Sequence, residues 1–383
     1  MKRIIFALAM MVAMASCAQT STKEKVADSG VADSGVADPA EQLRRDIGEM
    51  LLVGFRGTTI DDKSHIARDI QQYHVGSVIL FEYDAPTGTR HRNIESPAQL
   101  QKLCSQLQGL AGGTLLIGID QEGGNVARMR PKDGFPPVMS AQASAEEGTD
   151  AVRKMAEKTG EMLEVAGINL NFAPCVDVNL NPECPVIGKM GRSFSADAQY
   201  VAECAEIWME AQRAHGVISC LKHFPGHGSA TGDTHAELVD VTDTWQPAEL
   251  EPYRTLIAKG GVDMVMVAHV VNHQLGDKLP ASLSATVVTK LLRGELGYDG
   301  VVVTDDLAMG AITRQYGYEE AVRMAILAGC DLLCLSNNGG GTYNADLVPQ
   351  TVAIIQNLVS QGTVSAEAIH RSAERVRALK KKQ

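Results

Sequence analysis

Positive charge is in deficit: 35 Lys and Arg residues stand against 46 Asp and Glu, a net charge of −11. Such a balance opposes binding to nucleic-acid phosphates or anionic lipid head groups, so the expected ligand is neutral or cationic. The eight cysteines lack the dense, regular spacing of a disulfide framework. Cys220, Cys330 and Cys334 fall in apolar, strand-like runs and read as small buried hydrophobes. No catalytic cysteine is expected, and pairing of Cys175 with Cys184 stays open. No GxGxxG follows a strand-like run, which removes the dinucleotide-binding fingerprint. The apolar run Ile4 to Ala15 falls short of the about 20 residues that a permanent membrane span needs. What remains is a chain of 383 residues with 45% hydrophobic content, enough for one enzyme-sized domain with a large core.

The first residues are laid out as a secretory signal: Lys2 and Arg3, the apolar run, then Met14, Ala15, Ser16 and Cys17. Small residues ending at a cysteine resemble the lipobox of bacterial lipoproteins, in which that cysteine is acylated. Residues 1–16 are therefore expected to be a lipoprotein signal peptide and Cys17 a lipid anchor. The alternative is an ordinary signal cleaved nearby, with Cys17 uninvolved. Residues 17–40 are polar and repeat VADSG, too poor in large apolar side chains for a core. They read as a flexible tether spanning on the order of 25 Å by random-coil scaling. The expected location is outside the cytoplasm, held to a bacterial membrane through lipid alone and facing the periplasm.

Residues 41–383 keep a single rhythm, in which short β-branched apolar runs alternate with longer amphipathic stretches, the pattern of βα units. Eight strands are expected near 51–55, 76–81, 115–120, 168–173, 217–223, 263–269, 300–305 and 331–336. Helices are expected between them, for example 151–165 and 198–215. Eight such units predict an α/β fold, a single (β/α)8 TIM barrel, with an extra C-terminal helix whose basic end, Lys380 to Lys382, complements the helix dipole in solvent. The active site of such a barrel lies at the C-terminal ends of its strands.

Polar, chemically capable residues gather at those ends. Strand 3 ends in Asp120, followed by Gln121 and Glu122; strand 5 in Lys222 and His223; strand 6 in His269; strand 7 in Asp305 and Asp306. Charged groups at the ends of apolar strands point to a polar pocket, because they are rarely buried unless paired or used. The stretch from Lys222 to His235, KHFPGHGSATGDTH, places Asp233 two residues from His235. A carboxylate beside an imidazole raises its basicity and fixes its tautomer, as a general acid/base requires. A zinc site is the alternative, since His223, His227, Asp233 and His235 are all ligand types.

The same stretch resembles the signature loop of glycoside hydrolase family 3 β-N-acetylglucosaminidases, bacterial enzymes of peptidoglycan turnover. IDQEGGNVAR (119–128), GRSF (191–194), PASLS (280–284) and VVVTDDLAM (301–309) resemble family segments in the expected order. The resemblance runs from about Leu43 to Lys380. It implies that Asp305 is the nucleophile, with Asp306 as the neighbour most easily mistaken for it, and that His235 with Asp233 is the acid/base pair. Thr234 stands where a serine is commoner. Asp120, Arg128, Arg192, Lys222 and His223 would bind the hydroxyls and acetamide of the sugar, and His269 would form part of the pocket wall. Members acting as β-glucosidases usually carry a second domain, for which no chain is left after the barrel.

The implied reaction is retaining: a carboxylate attacks the anomeric carbon to form a covalent glycosyl-enzyme while an acid protonates the leaving oxygen, and water then releases the sugar. The implied substrate is a glycan with terminal β-linked N-acetylglucosamine, with no cofactor or metal and a monomer as the default. The alternatives are a phosphorylase, because a neutral histidine tolerates an approaching phosphate, and a non-catalytic lipoprotein that binds wall glycans.

Overall fold

The computed structural model describes residues 38–61, 63–234, 236–339 and 341–382. The leader, Cys17 and most of the tether lie outside the described residues, as does His235. Helix α1, Pro39–Glu49, begins two residues before the expected boundary, with Pro39 in its first turn and the Asp38 side chain accepting from the amide of Ala40. Among the described residues no helix is long and apolar enough to cross a membrane.

Eight parallel strands follow: β1 Leu51–Gly54, β2 Ser77–Leu80, β3 Leu116–Ile119, β4 Leu170–Asn171, β5 Ile218–Phe224, β6 Met264–Val267, β7 Val301–Thr304 and β8 Leu333–Leu335. Each pairs with its neighbour in chain order, and β8 pairs with β1. The ring closes between β7 and β8, where Val303 bridges Leu332 and the amide of Thr304 donates to the carbonyl of Leu332. All eight expected strands are present, in a (β/α)8 barrel.

Side chains alternate along each strand between two cores. Leu52, Ile79, Leu116, Leu170, Phe172, Ile218, Cys220, Met264, Met266, Val301, Val303 and Cys334 fill the barrel. Leu51, Val53, Val78, Leu80, Ile117, Val265 and Val302 face the surrounding helices. Gly118 has no side chain because a Cβ there would meet the Phe172 ring at 2.7 Å. Burial on both faces explains why these strands read as continuous apolar runs.

Several helices start on side-chain caps. Ser96 accepts from Gln99 ahead of α2, Pro97–Leu110; Asp197 accepts from Gln199 and Tyr200 ahead of α4, Ala198–Ala214; Ser365 accepts from Ala368 ahead of α5, Ala366–Lys380. Between them α3, Thr149–Ala166, ends at Gly167, whose φ of 78° is the left-handed conformation that terminates helices. Val376 and Leu379 of α5 join the barrel interior and close its lower end. The basic terminus is therefore not simply solvated: Lys380 pairs with Glu49, Lys382 donates to Asp263 at 2.8 Å, and Arg377 pairs with Asp46 at 2.6 Å. All seven cysteines among the described residues are free and buried, so Cys175 and Cys184 do not pair.

Candidate active site

A cavity of about 730 Å³ opens at the C-terminal ends of the strands, lined by Asp120, Arg128, Arg192, Lys222, His223, Asp305 and Phe81 among others. A second space of about 570 Å³, at the opposite end beside Glu49 and Lys380, contains none of the strand-end acids.

Lys222, on β5, is buried and donates through Nζ to Asp120 Oδ1 at 2.8 Å and to Glu122 Oε1 at 2.7 Å. Arg192 grips both oxygens of Glu122, at 2.7 and 2.8 Å, and Arg128 donates to Asp120 at 3.2 Å. Burial works to raise the Glu122 carboxyl, but the charges of Arg192 and Lys222 outweigh it and hold it down at about 2. Asp120 is held below the ordinary carboxylate range in the same way, against its burial, by Lys222 and Arg128. Burial would likewise lower Lys222, and Asp120 with Glu122 raise it instead. All five groups are thus charged at neutral pH, a network whose polar atoms are fixed before any sugar arrives.

His223 is oriented from both sides. Its Nδ1 lies 2.7 Å from Asp177 Oδ2, and its Nε2 lies 3.2 Å from an Arg192 nitrogen that can only donate. The proton is therefore assigned to Nδ1, leaving Nε2 as an acceptor on the cavity wall. Asp177 is buried and also accepts from the backbone amides of His223 and His227 and from the Cys175 thiol. Burial opposes its charge, and His223 overcomes that to keep it ionised.

At the end of β7, Asp306 is occupied by structure: Oδ1 accepts from the amides of Ala308 and Ser336, and Oδ2 accepts from the Ser336 hydroxyl. Burial raises its carboxyl above the usual range. Asp305 accepts the amide of Asp306 at 2.8 Å through Oδ1 and lines the cavity with the charged network.

The glycosyl hydrolase family 3 N-terminal domain matches residues 42–379. The chain belongs to glycosyl hydrolase family 3. This glycoside hydrolase is 36% identical over 298 residues to a β-hexosaminidase of Thiobacillus denitrificans, covering 75% of this chain and 78% of the relative. It is 33% identical to one from Tolumonas auensis, covering 83% and 89%. A family 3 β-N-acetylglucosaminidase structure from a Paenibacillus species superposes with a TM-score of 0.79 at 38% identity, over 89% of this chain. This chain spans 62% of that one. A β-N-acetylhexosaminidase from Beutenbergia cavernae gives 0.78 at 29% identity, covering 88% of this chain and 98% of its own.

The family 3 fold thus brings six of the sequence-derived candidates around one cavity: Asp120, Arg128, Arg192, Lys222, His223 and Asp305. It does not bring His269 there. That ring is fully buried outside the cavity, between the Ser282 hydroxyl at 2.7 Å and the carbonyl of Asp306 at 2.9 Å, where it holds the end of β7 instead of forming pocket wall. Asp233 does not line the cavity either; its carbonyl accepts from Ala236 and Glu237 in a turn. Thr234 is buried with its hydroxyl 3.3 Å from His227 Nε2, so that hydroxyl pins the loop.

Sequence reasoning assigned no site role to three supporting residues. Asp177 orients His223, Glu122 completes the charged network, and buried Glu249 anchors the loop through the amide of Gly228 at 2.9 Å and the Ser229 hydroxyl at 2.6 Å. Glu122 was visible within QEGG directly after β3, whereas Asp177 stands inside the apolar run that follows β4. Nothing in the sequence marked Glu249.

Proposed function

We propose that the chain is a retaining, exo-acting β-N-acetylhexosaminidase that releases terminal N-acetylglucosamine from β-linked glycans such as peptidoglycan fragments. The observation that carries this is the division of labour at the end of β7: Asp305 lines the cavity together with the charged network, while both oxygens of Asp306 are taken up by Ser336, the residue after β8. In this reading Asp120, Arg128, Arg192, Lys222 and His223 hold the sugar's hydroxyls and acetamide, so that binding energy fixes the anomeric carbon before Asp305. The Asp305 carboxylate attacks that carbon as the glycosidic bond breaks, and the leaving oxygen takes a proton. Water then attacks the glycosyl-aspartate and regenerates the carboxylate. By the family motif, His235 backed by Asp233 donates and later recovers the proton. An imidazole, whose ordinary titration lies near neutrality, suits both steps: the imidazolium donates the proton to the leaving oxygen, and the neutral ring left behind takes one back from the attacking water.

The test is to trap the intermediate with a fluorinated N-acetylglucosaminide and map the adduct. Labelling of Asp305 is expected; labelling of Asp306, or turnover surviving in Asp305→Asn, overturns the assignment. His235→Ala is expected to slow substrates with poor leaving groups far more than activated aryl glycosides. An equal loss on both counts against His235 as the acid. A rate that depends on inorganic phosphate would convert the reading to a phosphorylase. We also propose export with a lipid on Cys17; labelling with a radioactive fatty acid should be lost in Cys17→Ala.

A further inference from the structure

Beneath the cavity wall, Cys175, Asp177 and His223 bring one donor atom each to within 4.8 Å of one another, and all three are buried. Two hydrogen bonds hold the set together: Cys175 Sγ lies 3.2 Å, and His223 Nδ1 2.7 Å, from Asp177 Oδ2. The other oxygen of Asp177 is already held by two backbone amides, leaving Oδ2 as the shared point. A further donor stands close by. His227 Nδ1 is buried with no hydrogen-bond partner among the described residues, and the ring centre of His227 is 6.1 Å from that of His223.

Thiolate, imidazole and carboxylate form a zinc-type donor set. Ligand atoms of a tetrahedral zinc site stand roughly 3.3 to 3.7 Å apart, given bond lengths of about 2.0 to 2.3 Å. Replacing the two bridging protons by a metal therefore opens each contact by roughly half an ångström. His223 lines the cavity and supplies the way in.

We propose that Cys175, Asp177 and His223 form an inhibitory site for zinc or a similar borderline-soft divalent cation, with His227 as a further buried donor close by. On binding, the Cys175 thiol loses its proton to solvent and its sulfur bonds the metal. The His223 ring proton moves from Nδ1, now a ligand, to Nε2. That nitrogen then turns from acceptor to donor against Arg192, 3.2 Å away, and the two donors repel. Arg192 also grips Glu122, so the sugar-binding wall is disturbed without contact to Asp305. Because the metal is an inhibitor, chelators leave hydrolysis intact.

Cobalt(II) alone reports on the site without substrate, separating it from the hydrolase reading. Titration of the chelator-treated full chain should give a thiolate-to-cobalt charge-transfer band saturating at one equivalent and bleached by zinc. Cys175→Ser keeps a hydroxyl donor for Asp177 but removes the sulfur, and should lose the band; Cys184→Ala should keep it. In a hydrolysis assay, Cys175→Ser should raise the zinc concentration needed for half-inhibition at least tenfold. Absence of the band in the native chain, its survival in Cys175→Ser, its loss in Cys184→Ala, or equal zinc inhibition of native and Cys175→Ser protein each overturns the proposal.

Discussion

Adjacent carboxyl groups just past the end of β7 have been put to different uses by what reaches them. Asp306 meets two amides and a hydroxyl, whereas Asp305 accepts the amide of Asp306 and lines the cavity. Asp306→Ala leaves those buried donors without an acceptor, a loss of about 1–3 kcal/mol each where water cannot replace it. Its urea midpoint should fall clearly, whereas that of Asp305→Asn should stay near the native value although turnover is gone. Asp177 acts through His223. Asp177→Asn should reduce kcat/KM roughly tenfold or more, about 1.4 kcal/mol of transition-state stabilisation, and shift the nitrogen NMR signals of the His223 ring away from a fixed Nδ1–H tautomer. Unchanged nitrogen signals would reduce Asp177 to a packing residue. The sequence showed Asp120, Lys222 and Asp305 because each sits at the end of an apolar strand. It concealed Asp177 because β4 is only two residues long and the acid stands among apolar neighbours, in a stretch that looks like more strand.

The loop after β5, which carries the proposed acid/base pair, was legible as a motif, but its packing was not. Residues 225–230 are buried, with Trp245 donating to the carbonyl of Pro225 and Asn181 to that of Ala230. Glu249 lies about twenty positions away in sequence, a separation no local pattern reveals. Burial pushes its carboxyl up to about 7, against the Ser229 hydroxyl that works to lower it. A carboxyl raised in the folded state contributes stability below its unfolded value near 4.5, and that contribution is lost as pH rises through about 7. Burial lowers His227, close by, to about 4, so its contribution is present above 6.5 and lost as pH falls toward 4. The loop is squeezed from both sides. Glu249→Gln, which imitates the protonated acid, should flatten the decline of Tm between pH 5 and 8. An unaltered slope would mean that Glu249 does not titrate there.

For the whole molecule, all eight strands were readable because burial on both faces leaves uninterrupted apolar runs. The lower seal was not readable, since α5 looks like any amphipathic surface helix with a basic end. The structure shows Leu379 and Val376 completing the barrel interior. Leu379→Ala should cost about 2–5 kcal/mol, as large-to-small changes in a core do, and leave kcat/KM unaltered in the protein that remains folded. A stability loss below about 1 kcal/mol would show that the helix merely covers the barrel.

That seal bears on how the protein is made. The strands leave the ribosome in the order in which they stand around the ring, but the plug for its lower mouth, α5, follows all of them in the chain. Until Val376 and Leu379 emerge the nascent barrel lacks part of its own interior, so its packing can be completed only after every strand has been made.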